Sequence, residues 1–117
     1  MAENQAIEFE DDRKAGRLLA VEDGAVVGFI AYFVLDRDPR ALVAVHTIVE
    51  PGHEGRGIGG RLVRTFYGLA AADGVPVVPL CPYAAGWAAK HPDEAPAAPA
   101  EAVEAAKARL EADADLW

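Results

Sequence analysis

The stretch EPGHEGRGIGGRL, residues 50–62, carries five glycines between Gly52 and Gly60. An apolar run precedes it and a helical pattern follows. Ordering so many glycines costs entropy, because each gives up more backbone freedom than any other residue. A glycine-rich link from a strand into a helix is an anion cradle. Its unpaired N–H groups face outward, the helix dipole adds partial positive charge, and no Cβ keeps a phosphate away. The chemistry to expect of this stretch is the grip on a phosphate.

Two familiar phosphate loops fit poorly. Gly55 and Gly60 have P-loop spacing, but Leu62 follows where a hydroxyl must hold Mg²⁺. Gly55, Gly57 and Gly60 match the dinucleotide fingerprint GxGxxG. That fingerprint wants a ribose-binding acid about 20 residues on, at the end of the next strand, and here that strand ends PLCP.

HTIVEPGHEGRGIGGRLV resembles motif A of the GNAT acetyltransferases, whose core is R/Q-x-x-G-x-G/A. The core aligns with Glu54-Gly55-Arg56-Gly57-Ile58-Gly59, so Glu54 stands where Arg or Gln is usual. More narrowly, the chain resembles small single-domain GNAT-like proteins with an H-T-x-V strand and a later C-x-Y. His46-Thr47-Ile48-Val49 and Cys81-Pro82-Tyr83 match both. The resemblance covers roughly residues 17 to 92 and implies acetyl-CoA as acyl donor and an amine as acceptor. It implies that backbone at Ile48 and Val49 holds the pantetheine arm. Backbone from Gly55 through Arg56, Gly57, Ile58 and Gly59 to Gly60 would hold the pyrophosphate, with Arg56 and Arg61 offsetting the Glu54 carboxylate. Residues 1–92 are expected to be the acetyl-CoA-binding domain, and 93–117 a Pro/Ala-rich linker with a C-terminal helix or tail.

Acyl transfer to an amine needs a base, because a free lysine has a pKa of ~10.4. His46 is the first candidate, because histidine is the side chain type suited to taking a proton near neutral pH. Strict alternation would put it on one face with Leu42, Ala44 and Ile48. Glu50, acting through water, is the alternative base. Cys81 closes a strand just before a helix, where a thiol is activated. It is read either as a nucleophile that carries the acetyl group or as the acid that protonates the departing thiolate. Tyr83 is a second candidate for that acid. His46, His53, His91 and Cys81 have no zinc-motif spacing. The competing reading is a non-catalytic coenzyme A-binding module.

These residues need elements to place them. Leu18–Val21 and Val26–Leu35 read as a β-hairpin around the turn EDG. Residues 41–51 read as a central strand, apolar on both faces and stopped by Pro51. Ile58, Leu62, Phe66, Leu69 and Ala70 make one helical face, and Gly74 suits the end of that helix. A short strand over 75–81 comes next, with Pro76 and Pro79 placing it at an edge or splaying it from its neighbour. Pro82 begins a short helix. AEAVEAAKARLEADADLW is helical by propensity, with a thin stripe of Val103, Leu110 and Leu116. The expected fold is α+β, a minimal GNAT-like acyltransferase: a hairpin plus a strand–loop–helix–strand unit, in a mixed sheet with flanking helices.

Composition narrows the partners. The 117 residues carry a formal net charge of −8, which disfavours nucleic acid and suits a cationic amine. One cysteine excludes an internal disulfide and fits a reducing, cytoplasmic setting. No apolar run reaches membrane-spanning length, and the acidic MAENQAIEFEDD does not read as a signal peptide.

Overall fold

Asp23 and Gly24 both take positive φ, 53° and 80°. They close the hairpin of β2 (Arg17–Glu22) and β3 (Ala25–Leu35). The computed structural model describes residues 7–113. Its sheet has the order β1-β2-β3-β4-β5, where β1 is Ile7–Asp12, β4 is Ala41–Val49 and β5 is Val77–Pro79. The first four strands are antiparallel, and β5 joins β4 in parallel at the edge. The hairpin, the central strand and the edge strand thus stand where the sequence places them. β1 is an addition to the expected elements. Only Ile7 and Phe9 pack against the core from it, and the run of acids after Phe9 cuts the alternation short.

Helix α1 (Ile58–Asp73) buries Ile58, Leu62, Val63 and Phe66 on one sheet face. A side chain of this size contributes about 1.5–3 kcal/mol when fully buried. Gly74 ends α1 at φ 71°, its N–H reaching back to Ala70 and Ala71. Helix α2 (Pro82–Lys90) lies beside α1 on that face. On the other face, α3 (Ala100–Ala112) covers Leu35, Ala41, Val43 and Val78. It docks through Ala102 and Ala106, both fully buried, while Val103 and Leu110 are only half-buried. Small side chains let the helix backbone approach the sheet; of the expected stripe, Val103 packs beside them and Leu110 stands outside that core. Leu116 lies outside the described residues.

Tyr32 sits in the first core, edge-on to Phe66 at 5.0 Å between ring centroids. Its hydroxyl donates to the Asp11 carboxylate. Burial and then that hydrogen bond push the phenol up to about 12 from its ordinary 10.0. A raised folded-state pKa stabilises fully below the unfolded value and is lost as pH climbs through the folded one. The melting temperature should therefore fall between pH 10 and 12, and Tyr32→Phe should fall less steeply over that window. Parallel profiles in thermal melts would contradict the assignment.

One irregularity in β4 sets which side chains reach each face. Ala31 pairs with His46, yet the next residue, Tyr32, pairs with Ala44. Val45 is therefore an extra residue on β4, a bulge that reverses the alternation beyond it. Leu42 and Ala44 face α1, and past the bulge that face belongs to Thr47 and Val49. His46 and Ile48 turn to the opposite face.

Candidate active site

β4 and β5 pair only from Leu42–Val77 to Ala44–Pro79. The Leu80 and Cys81 N–H groups then both donate to the single Ala44 carbonyl, at 3.0 and 3.1 Å. The strands fork there, and β4 runs on to Val49 with one edge open. The Glu50 N–H donates to Val27 O, and the Ile48 carbonyl lies against Gly28, 3.0 Å from where a Cβ would stand. Even-numbered residues past the bulge therefore bond toward β3. Thr47 and Val49 present their N–H and C=O groups across the opening. Of the expected pair Ile48 and Val49, only Val49 is turned that way, and Thr47 takes the place of Ile48.

Beyond Pro51 the glycine loop leads into α1. Gly52, Gly55 and Gly57 all have positive φ, at 89°, 81° and 78°. Gly57 is the N-cap of α1 and offers no side-chain cap. The Arg61 N–H makes the bond back to Gly57 O at 3.1 Å. The N–H groups of Ile58, Gly59 and Gly60 precede that bond and lack intrahelical partners. A Cβ on Gly55 or Gly57 would meet nothing within 4 Å. This is open space over bare amides, which suits a phosphate.

The loop's charged side chains bond within the protein. Glu54 accepts the Gly52 N–H at 3.0 Å, so the unusual carboxylate acts as a loop brace. Arg56 makes a two-pronged bridge to Glu22, at 3.0 and 2.6 Å, and lies 2.8 Å from His53 Nδ1. Its hydrogen bond holds the Glu22 carboxyl below the usual range. The Arg61 guanidinium rests over the Phe9 ring, 5.2 Å from its centroid. The expected offset of Glu54 by Arg56 and Arg61 is therefore not what the geometry shows. Gly59 and Gly60 lie against α2. A Cβ on Gly59 would stand 2.7 Å from the Tyr83 hydroxyl, and one on Gly60 3.4 Å from Trp87 Nε1.

Cys81 caps α2, followed by Pro82 in the first turn. It is 4% exposed, and its Sγ donates to Thr47 Oγ1 at 3.4 Å. Sulfur and hydroxyl thus sit together at the fork. A cleft of about 480 Å³ extends from Thr47 and Val49, past Gly55 and Gly57, to Tyr83. Tyr83 is half exposed, and its hydroxyl lies by Gly59, at the phosphate mouth rather than the fork. His46 is exposed on the other sheet face. The expectation that it shares a face with Leu42 and Ala44 fails because Val45 bulges. Thr47 is the cleft residue that sequence reasoning misses, although it stands beside His46 in the matched H-T-x-V. Among the described residues no three His, Cys, Asp or Glu side chains gather as a metal site. No helix there is long and apolar enough to cross a membrane.

Residues 17–97, more than half of the chain, match the profile of the GCN5-related N-acetyl-transferase family. The chain belongs to that family. Structures from Brucella and Trypanosoma share the fold of this GCN5-related chain. A ribosomal-protein-alanine N-acetyltransferase from Brucella melitensis biovar Abortus 2308 is 26% identical with a TM-score of 0.55, over 71% of this chain and 62% of that one. An acetyltransferase from Trypanosoma brucei is 16% identical with a TM-score of 0.50, over 69% and 62%. An aminoglycoside acetyltransferase from an uncultured soil metagenomic sample is 29% identical with a TM-score of 0.48, over 53% and 43%. The chain thus spans less than two-thirds of each of these structures. No curated protein shows significant similarity.

Proposed function

We propose that this chain transfers an acetyl group from acetyl-CoA to an amine, at the fork between β4 and β5. The observation that carries the reading is that one cleft joins the uncapped α1 amides to the open β4 edge, with the Cys81 thiol bonded to Thr47 just behind its lining. Bound acetyl-CoA would supply the acyl group as a thioester. The N–H groups of Ile58, Gly59 and Gly60 hold its pyrophosphate. The backbone of Thr47 and Val49 takes the pantetheine arm as an added strand would be taken.

At the fork, Cys81 is the acid. Thr47 Oγ1 orients its S–H, which delivers a proton to the departing thiolate and is restored from water. His46 receives the proton from the amine, which approaches from the opposite sheet face through the gap between the strands. The C–N bond forms, the C–S bond breaks, and each proton has a destination. Tyr83 lies too near the loop to be the first choice of acid. The chain's acidity suits a cationic acceptor, and the Brucella relative's name, which includes a ribosomal-protein alanine, supports a peptide or protein amine.

The test is release of free thiol from acetyl-CoA in the presence of amines and basic peptides. Thiol release that depends on the acceptor supports the reading. Coenzyme A binding with no release on any acceptor favours the non-catalytic binding module.

A further inference from the structure

The glycine loop holds itself mostly by short-range bonds. The His53 N–H donates back to Glu50 O, the Gly52 N–H donates to the Glu54 carboxylate, and Gly57 O accepts the Arg61 N–H. All of these stay within the loop and its two flanks. Among the described residues, the one hydrogen-bonded tie from residues 52–57 to a distant element is Arg56 to Glu22.

That tie is built to fix a direction. Glu22 ends β2, next to the Asp23-Gly24 turn, so the bridge crosses 34 residues and fastens the loop to the hairpin. Arg56 Nη1 meets Glu22 Oε1 at 3.0 Å and Nη2 meets Oε2 at 2.6 Å. A forked pair of this kind sets orientation as well as distance. The same Nη1 lies 2.8 Å from His53 Nδ1, which pins the loop at a second point. The loop needs such restraint. Gly52, Gly55 and Gly57 hold positive φ, a conformation that glycine enters and leaves freely. A loop ordered only on binding would lose affinity to that ordering, and a loop already held loses less.

We propose that Glu22 is a positioning residue for the phosphate loop: through Arg56 it holds residues 52–57 in their binding shape before coenzyme A arrives. This rests on the reading of the cleft as a coenzyme A site. The two roles open to Arg56 predict opposite signs. Were Arg56 itself the counter-charge of the phosphate, Glu22→Ala would free it, remove a repelling carboxylate and tighten binding. With the bridge as the loop's fastening, the same change weakens binding.

Calorimetry with coenzyme A on Glu22→Ala, Arg56→Ala and the double variant tests it. Each single variant should bind about fivefold more weakly, the upper scale of an exposed ion pair. The double variant should be no weaker than either single one, because both remove the same bridge. Melting temperatures should match the wild type, since an exposed pair adds little to global stability. In the ligand-free protein, NMR order parameters of the Gly55 and Gly57 amides should fall from about 0.85 toward about 0.6 in both single variants. Tighter binding by Glu22→Ala, losses that multiply in the double variant, or unchanged loop order parameters would overturn the role of Glu22 while leaving the cleft intact. A wild type that does not bind coenzyme A would overturn the cleft reading instead, and the order parameters would still decide whether Glu22 holds the loop.

Discussion

Cys81→Ala should lower the acetyl-transfer rate by about 10²- to 10⁴-fold, the range a positioned general acid supplies, and leave coenzyme A affinity within about twofold. The separation rests on the geometry. The thiol sits at the fork beside Thr47 Oγ1, whereas the amides assigned to the pyrophosphate lie at the start of α1. The lost group should therefore matter to the departing thiolate and not to the grip. Cys81→Ser is the companion variant, since it keeps the size and the partnership with Thr47 but offers a far weaker acid. Intact mass after exposure to acetyl-CoA distinguishes the two cysteine roles. An unmodified chain agrees with the acid. An acetyl adduct that Cys81→Ser loses would make Cys81 the nucleophile. Equal turnover in wild type and both variants would reduce Cys81 to packing.

The second large effect is expected at Gly57. Its φ of 78° is a conformation that costs a residue with a Cβ roughly 1–2 kcal/mol, and a branched residue more. A side chain there would also project into the open space over the Ile58–Gly60 amides. Gly57→Val should weaken coenzyme A binding at least about 100-fold, combining lost amide contacts with a reshaped helix start. Gly74→Ala is the control: it strains a comparable left-handed cap at the far end of α1 without approaching the cleft. If Gly57→Val binds as the wild type does, or if Gly74→Ala loses binding equally, the cradle is not the source of affinity.

Much of the fold is legible in residue types and spacing. Asp23-Gly24, Pro51, Gly74 and Pro82 mark element ends through local backbone chemistry, and each does so in the structure. The apolar face of α1 has helical periodicity, and the two prolines of the last strand fit its brief pairing and its departure from β4. What escapes such reading depends on partners distant in the chain. Nothing distinguishes Val45 from its neighbours, so the bulge that turns His46 away and brings Thr47 to the cleft has no local signal. Arg56 reads as an offset to the Glu54 carboxylate until Glu22, 34 residues earlier, is placed beside it. Gly59 and Gly60 read as phosphate glycines, and only the structure shows that they also lie against Tyr83 and Trp87 of α2. Glu54, the departure from the family motif, becomes intelligible once its carboxylate is seen to take up the Gly52 N–H. The seat of α3 escapes because alanines carry no hydrophobic stripe, although they are what close approach needs.

The central claim is that the fork of the sheet and the α1 N-terminus form one coenzyme A site. Amide chemical shifts during a titration with coenzyme A test it most directly, because the groups assigned to the ligand are themselves N–H groups. The largest changes should fall on Ile58, Gly59 and Gly60 together with Thr47 and Val49, and should saturate with a single affinity. Changes confined elsewhere, or two clusters that saturate separately, would contradict the account.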